Sequence, residues 1–259
     1  VVLPNGLFNT IIQIILEIAN TVTLLFSHVV VTYTKDYADH SRLLRLVKHK
    51  IIAIYPPIPI PKVSKSLVLK YKKQIGKCDV VIGVAARLAA EKGIEYLIHA
   101  LPILQKKLPK QILKIVLAVS MNPVGEEAYK IKIMQLVKKY KKQVVFLGEI
   151  APDQMGSFYE CIDVLVVPSI NSTEAFGLVQ VEAMMTGVPV VASDLPGVRT
   201  PIQKTGMGIV VPIRNSKKLA EALEQIVRHP KNFFKMQKDV LKEFSYDKSI
   251  ENLHAIISL

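Results

Sequence analysis

The sequence predicts an α/β protein built on a doubly wound parallel sheet. Three observations carry that prediction. Short apolar runs of strand character alternate with amphipathic helical segments along almost all of the 259 residues. The strand runs are apolar throughout rather than alternating, as expected when helices cover both faces of a sheet. Half of the residues are hydrophobic, enough for a sizeable core in one or two domains. No internal repeat or low-complexity tract interrupts the pattern.

The most apolar stretch runs from Gly6 to Val31, but Asn9, Gln13, Glu17, Asn20 and His28 interrupt it. It therefore lacks the run of about 18 apolar residues a membrane span needs. Leu7, Ile11, Ile14, Ile15, Ile18, Val22 and Leu25 recur at helical spacing, as in a helix packed on a sheet. The basic face of an interfacial membrane helix is missing. No charged leader region with a cleavage site is visible, so no signal peptide is expected. A strand over 29–33, a helix over 36–48 and a strand over 50–55 follow. Pro56, Pro57, Pro59 and Pro61 then make an extended linker.

Beyond the linker the pattern predicts strand 79–85, helix 93–108, strand 113–119, helix 126–141 and strand 144–147. A short helix near 153–159, strand 164–167, helix 177–185, strand 189–192 and a short strand near 209–212 come next. Three helices, over 216–228, 231–244 and 247–257, close the chain.

The net charge of +13 points to a polyanionic neighbour: phosphate ligands, anionic lipid headgroups or nucleic acid. Nucleic acid is the weakest of these, since aromatics are scarce, Trp is absent and no recognised module occurs. Cys78 and Cys161 offer neither a disulfide framework nor metal-ligand spacing, which suits a reducing, cytoplasmic setting. His28, His40, His49, His99, His229 and His254 are scattered and read as surface or packing residues. Asn171-Ser172-Thr173 forms a glycosylation sequon, read as fortuitous in that setting. No metal site is expected.

In an open parallel sheet, ligands bind beyond the carboxyl ends of the strands. Three predicted loops share that rim. The loop after strand 79–85 carries Arg87 and Lys92 just before a helix, a planar fork and a point charge where a diphosphate can sit. Their bland alternative is a pair of surface cations. The loop after strand 144–147 reads Gly148-Glu149-Ile150-Ala151-Pro152-Asp153 and is equally well an ordinary capping loop with Asp153 near the N-cap. The third loop follows Val166-Val167-Pro168-Ser169 and contains Glu174-Ala175-Phe176-Gly177-Leu178, with Glu182 eight positions on. Glu174 falls in the loop, where a carboxylate can reach sugar hydroxyls. Glu182 is expected about two turns further, on a similar helix face. The helix start between them is a ready anion site. Gly197, after Asp194-Leu195-Pro196, suits a tight turn, with or without a role near a sugar.

Glu174 to Glu182, with the flank running to Gly197, resembles the E-x7-E signature of the family 4 glycosyltransferases. The segment from Gly83 to Gly93 resembles the family's G-R-L-x-x-x-K-G loop, although Ala86 stands where the family usually has Gly. The likeness spans roughly residues 29–228 and is strongest over 81–211. It implies a GT-B fold: two Rossmann-like domains, the C-terminal one binding a nucleotide sugar and the other carrying the acceptor site. Residues 62–244 then make the donor domain, 56–61 the linker and 245–259 a helix crossing back to the N-terminal side. Residues 1–55 supply only a partial acceptor-side domain, without the family's glycine-rich loop or its usual His. With the opening Val1-Val2-Leu3-Pro4, this predicts a fragment of a longer transferase.

The implied reaction moves a sugar from a nucleotide diphosphate donor to an acceptor with retention at the anomeric carbon. Arg87, Lys92 and the N–H groups near Phe176, Gly177 and Leu178 would stabilise the leaving diphosphate. Glu174 would orient the sugar, Glu182 would take the ribose hydroxyls, and the backbone around Ile150 would meet the base. No cofactor is implied beyond the UDP- or GDP-sugar substrate. The partner is a glycan, lipid-linked or small-molecule acceptor, and the positive charge admits peripheral contact with an anionic membrane. A GT-B nucleotide-sugar epimerase and a non-catalytic nucleotide-sugar-binding module are the alternatives. A dehydrogenase is disfavoured, since no G-x-G-x-x-G follows a strand.

Overall fold

The computed structural model describes residues 7–121 and 124–258, with side chains from Thr10 onward. Val1 to Gly6, including the opening tetrapeptide, and the side chain of Leu7 lie outside the described residues. The chain divides into two compact units, one of Ile58–Tyr246 and one of residues up to Pro57 together with those from Asp247.

The Ile58–Tyr246 unit is built on a parallel six-stranded sheet. Its strands are β3 (Val80–Arg87), β4 (Leu113–Ser120), β5 (Val144–Phe146), β6 (Val164–Val167), β7 (Val190–Ser193) and β8 (Gly208–Val211). Their order is β5-β4-β3-β6-β7-β8, so the winding reverses between β3 and β6. One face is covered by α4 (Ile94–Lys107), α5 (Glu127–Lys139) and α9 (Ser216–Arg228). Leu97, Ile98, Leu101 and Leu104 of α4 and Leu219, Leu223 and Ile226 of α9 are fully buried there, at i, i+3/i+4 spacing. Further helices of the unit are α3 (Lys65–Ile75), α6 (Met155–Tyr159), α7 (Leu178–Met185), α8 (Thr200–Thr205) and α10 (Gln237–Glu243). Of these, α3 packs on α6, and α7 and α8 on α10.

The other unit holds α1 (Leu7–Phe26), α2 (Lys35–His40), α11 (Tyr246–Ile257) and a parallel pair, β1 (Val30–Thr32) with β2 (Ile51–Ala53). Val30 pairs with Ile51 and Thr32 with Ala53. Ile11, Ile14, Ile15, Ile18, Val22 and Leu25 lie exposed along α1. No described helix is long and apolar enough to cross a membrane.

Several expected elements change. The helix over 36–48 is broken: Ser41 is extended, and its Oγ accepts from Leu44 N to open a separate 3-10 stretch, Leu44–Lys50. Val47 interrupts that stretch in turn with a non-helical backbone. The helix over 231–244 is a short 3-10 turn, Pro230–Phe233, followed by α10, because Phe234 is extended. Two helices are additions. In α3 the Lys-rich composition hides an amphipathic pattern whose buried anchors are Tyr71 and Ile75, stopped by Gly76 at φ 71°. The other is α8, a helix of six residues ended by Gly206 at φ 71°.

Candidate functional site

The reversal of winding places two loops side by side at the carboxyl ends of β3 and β6, the position where such sheets form a crevice. Gly93 lets them touch. It closes the loop after β3 at φ 61°, and an added Cβ would stand 2.3 Å from the Pro168 carbonyl oxygen. Ile170 N donates to Glu91 O at 2.9 Å, tying the two backbones together. That approach carries Lys92 onto Glu174: Nζ donates to Oε2 at 2.6 Å. Both side chains are largely sheltered, at 19% and 17% exposure, and Ser169 Oγ donates to the same Oε2 at 3.4 Å.

Arg87 stands apart from that pair. It ends β3, is 67% exposed and donates through Nη2 to Glu91 Oε1 at 2.9 Å. The structure thus brings Lys92 together with Glu174, whereas Arg87, expected in the loop, is the last residue of a strand that continues its pairing with β4 to Ser120, and it pairs with Glu91 just beyond the strand end. A buried network braces the segment behind them. Tyr129 Oη accepts from Ile94 N at 3.0 Å and donates to buried Glu95 at 2.6 Å, and Lys132 holds the other Glu95 oxygen at 2.8 Å. Burial first, and then the Glu95 carboxylate, drive the Tyr129 phenol far above its ordinary pKa.

The expected helix after the Glu174 loop starts at Leu178, with Gly177 at φ 75° as its N-cap and no side-chain cap. Glu182 is therefore little more than one turn into α7, and Glu174 sits in the preceding loop, as expected. The expectation of a shared helix face two turns apart is corrected accordingly. The two carboxylates also have different partners. Tyr159 Oη donates to Glu182 Oε2 at 2.6 Å. Burial raises the Glu182 pKa, held back by the Tyr159 hydrogen bond, and burial likewise pushes the Tyr159 phenol well above its ordinary value.

Ile150 lies half-buried in the loop between β5 and a 3-10 turn, Pro152–Gln154. Asp153 falls inside that turn, whose N-cap is Ala151 without a side-chain bond, so the capping reading of Asp153 is corrected. Gly197, at φ 82°, forms a turn closed by Thr200 N donating to its carbonyl at 3.2 Å. Beside it Arg199 Nη1 pairs with Asp194 at 2.9 Å. Sequence reasoning missed Tyr159 and Gln180. The signal for Gln180 was a polar residue in the apolar run Leu178-Val179-Gln180-Val181 of a helix covering a sheet. Tyr159 gave no signal, because its carboxylate partner lies 23 residues away.

A cavity of about 420 Å³ opens at the amino ends of β6 and β7, lined by Tyr159, Asp163, Pro189 and Phe234 among others; it shares Tyr159 with the Glu182 pair but holds none of the residues predicted from sequence. Among the described residues no cluster of three or more His, Cys, Asp or Glu side chains is placed to hold a metal ion.

A parallel, doubly wound sheet with charged loops meeting at its switch point defines a Rossmann-like α/β domain of the GT-B type. The chain belongs to the glycosyl transferases group 1 family, whose model matches residues 69–243. It is 31% identical over 185 residues to an uncharacterized glycosyltransferase of Methanocaldococcus jannaschii, covering 69% of this chain and 45% of that protein. Over 149 residues it is 31% identical to the D-inositol 3-phosphate glycosyltransferase of Corynebacterium urealyticum, covering 57% of this chain and 34% of that protein. Its fold is similar to the crystal structure of Anabaena HepE in complex with UDP and glucose. The TM-score is 0.80 at 22% identity, over 94% of this chain and 66% of that one. The chain thus spans less than half the length of these two curated relatives.

Proposed function

We propose that the Ile58–Tyr246 unit is the donor-binding half of a retaining, family 4-type glycosyltransferase, and that this chain is a fragment of the whole enzyme. The observation carrying the reading is the Lys92–Glu174 pair, a sheltered cation and carboxylate held together at the switch point of the sheet. A diphosphate arriving there competes with Glu174 for Lys92. The Glu174 carboxylate is then released toward the sugar hydroxyls. Lys92, Arg87 swung from Glu91, and the N–H groups around Phe176, Gly177 and Leu178 stabilise the charge that grows on the leaving diphosphate. Glu182 accepts from the ribose, with Tyr159 fixing its orientation. The loop at Ile150 receives the base, and the turn at Gly197 borders the sugar. The chemistry calls for no metal, because these cations meet the developing charge.

HepE is crystallised with UDP and glucose, which makes UDP and UDP-glucose the first probes. The setting proposed is the cytoplasm, with the +13 charge favouring anionic membrane surfaces. The acceptor surface is assigned to sequence beyond this chain, in keeping with the exposed apolar face of α1. A thermal-shift panel of UDP-, GDP- and ADP-sugars tests the reading. Ligand at a hundredfold excess over Kd stabilises the folded state by about 2.7 kcal/mol. A flat response across the panel removes the donor site. Sugar transfer by the 259-residue chain alone would remove the fragment reading.

A further inference from the structure

Gln180 lies on α7 with its side chain wholly buried, between two loops that the proposed site uses. Its Nε2 donates to Phe176 O at 2.8 Å and to Val198 O at 2.9 Å. Phe176 belongs to the loop after β6, and Val198 to the turn after β7. One amide therefore spends both of its hydrogens tying together the ends of adjacent strands. Both neighbours are acceptors, which fixes the amide's orientation. Its Oε1, also buried, has no hydrogen-bond partner among the described residues. An apolar side chain of similar size would avoid that unpaired oxygen, so packing alone does not account for a glutamine here. Gly177 belongs to the same arrangement: a Cβ on it would lie 2.7 Å from Nε2, in a backbone already at φ 75°. Only glycine leaves room for the amide beneath the loop.

We infer that Gln180 is a positioning residue that locks the Phe176–Leu178 loop and the Gly197–Val198 turn into one rigid pair. It acts through their backbones and touches no ligand. The pairing sets the spacing between the loop assigned to the diphosphate and the turn assigned to the sugar. The nucleotide part of the inference rests on the donor-site reading, whereas the coupling of the loops does not.

The test uses the whole chain and the variants Gln180→Leu, Gln180→Met and Gln180→Glu, read by amide hydrogen exchange and by UDP and UDP-glucose titration. In Gln180→Leu, protection factors should fall at least tenfold in both 176–179 and 197–200, with those of α4 unchanged. UDP-glucose affinity should drop about tenfold, and UDP affinity by less. Gln180→Met keeps the shape of the side chain and should behave the same way. Gln180→Glu adds a readout that packing would not move. Its protonated carboxyl donates to only one carbonyl, and its ionised form repels both, so loop protection should fall as pH rises through its titration. Unchanged protection in Gln180→Leu and Gln180→Met, or loosening of one loop alone, would overturn the inference. Failure of both apolar variants to fold would also overturn it, making the residue a requirement of the fold. If the unaltered chain binds neither ligand, the donor-site reading fails and the exchange data still decide the coupling.

Discussion

The two units solve the burial problem very differently. In Ile58–Tyr246, six parallel strands have helices on both sides, and the α4 and α9 leucines and isoleucines are shut from solvent. In the unit containing α1, the described residues form two strands, three α-helices and a 3-10 stretch, and leave Ile15 58% and Ile18 59% exposed on a helix with the pattern of a core element. A two-stranded sheet cannot bury an amphipathic helix of 20 residues. The lesson is that local patterning makes both regions look alike, while only one has enough layers to satisfy the pattern.

Dividing the chain gives the sharpest test of that comparison. Residues 58–246 produced alone should unfold cooperatively and keep their affinity for UDP, whereas residues 1–57 alone should lack stable structure by circular dichroism. A cooperative transition in the short piece would break the contrast.

Paired substitutions come next. Leu101→Ala, in the core, should cost about 2–5 kcal/mol in urea unfolding. Ile18→Ser on α1 should change stability by no more than about 0.5 kcal/mol and should reduce self-association in sedimentation. Equal costs at the two positions would mean that α1 is covered in solution.

Within the larger unit, the two members of the Lys92–Glu174 pair offer a finer contrast. Lys92→Ala should weaken UDP binding by about 1.5–3 kcal/mol, the scale of hydrogen bonds to charged groups. Glu174→Gln should strengthen UDP binding by about 0.5–1 kcal/mol, because it frees Lys92 of its partner in a partly screened site. The same change should weaken UDP-glucose, whose sugar loses an acceptor. Calorimetry showing weaker UDP binding in Glu174→Gln would dissolve the proposed competition.

The smallest effect concerns pH. The folded-state pKa of Glu182 is raised by burial, so folding favours its protonated form. The stability this group contributes is fully present below its unfolded pKa and is lost as pH rises through the raised folded value. Glu182→Gln should flatten that part of the stability–pH profile while keeping an acceptor for Tyr159. Tyr159→Phe should move that part of the profile to higher pH, because it removes the hydrogen bond that holds the Glu182 pKa down. An unchanged pH profile in Glu182→Gln would show that another group titrates in that window.

Much of this protein was legible as sequence. Apolar strands and amphipathic helices marked the α/β class, and Glu174 and Lys92 could be placed beyond strand ends from the pattern alone, whereas Arg87 proved to be the last residue of β3. These are properties of neighbours along the chain. Breaks such as Ser41 and Phe234 were not legible, because a single extended residue leaves the hydrophobic period intact. Helix α3 was hidden because its lysines swamp two buried anchors.

The tertiary structure alone decided who meets whom. That Lys92 pairs with Glu174 and Arg87 with Glu91, that Tyr159 holds Glu182, and that Gln180 ties two loops depends on strand order, on the close backbone approach at Gly93 and on the room Gly177 leaves for the Gln180 amide. The physical reason is range. Periodicity records which face of an element is apolar, and a hydrogen bond requires two atoms within about 3 Å that the chain itself separates by 82 residues at Lys92 and Glu174.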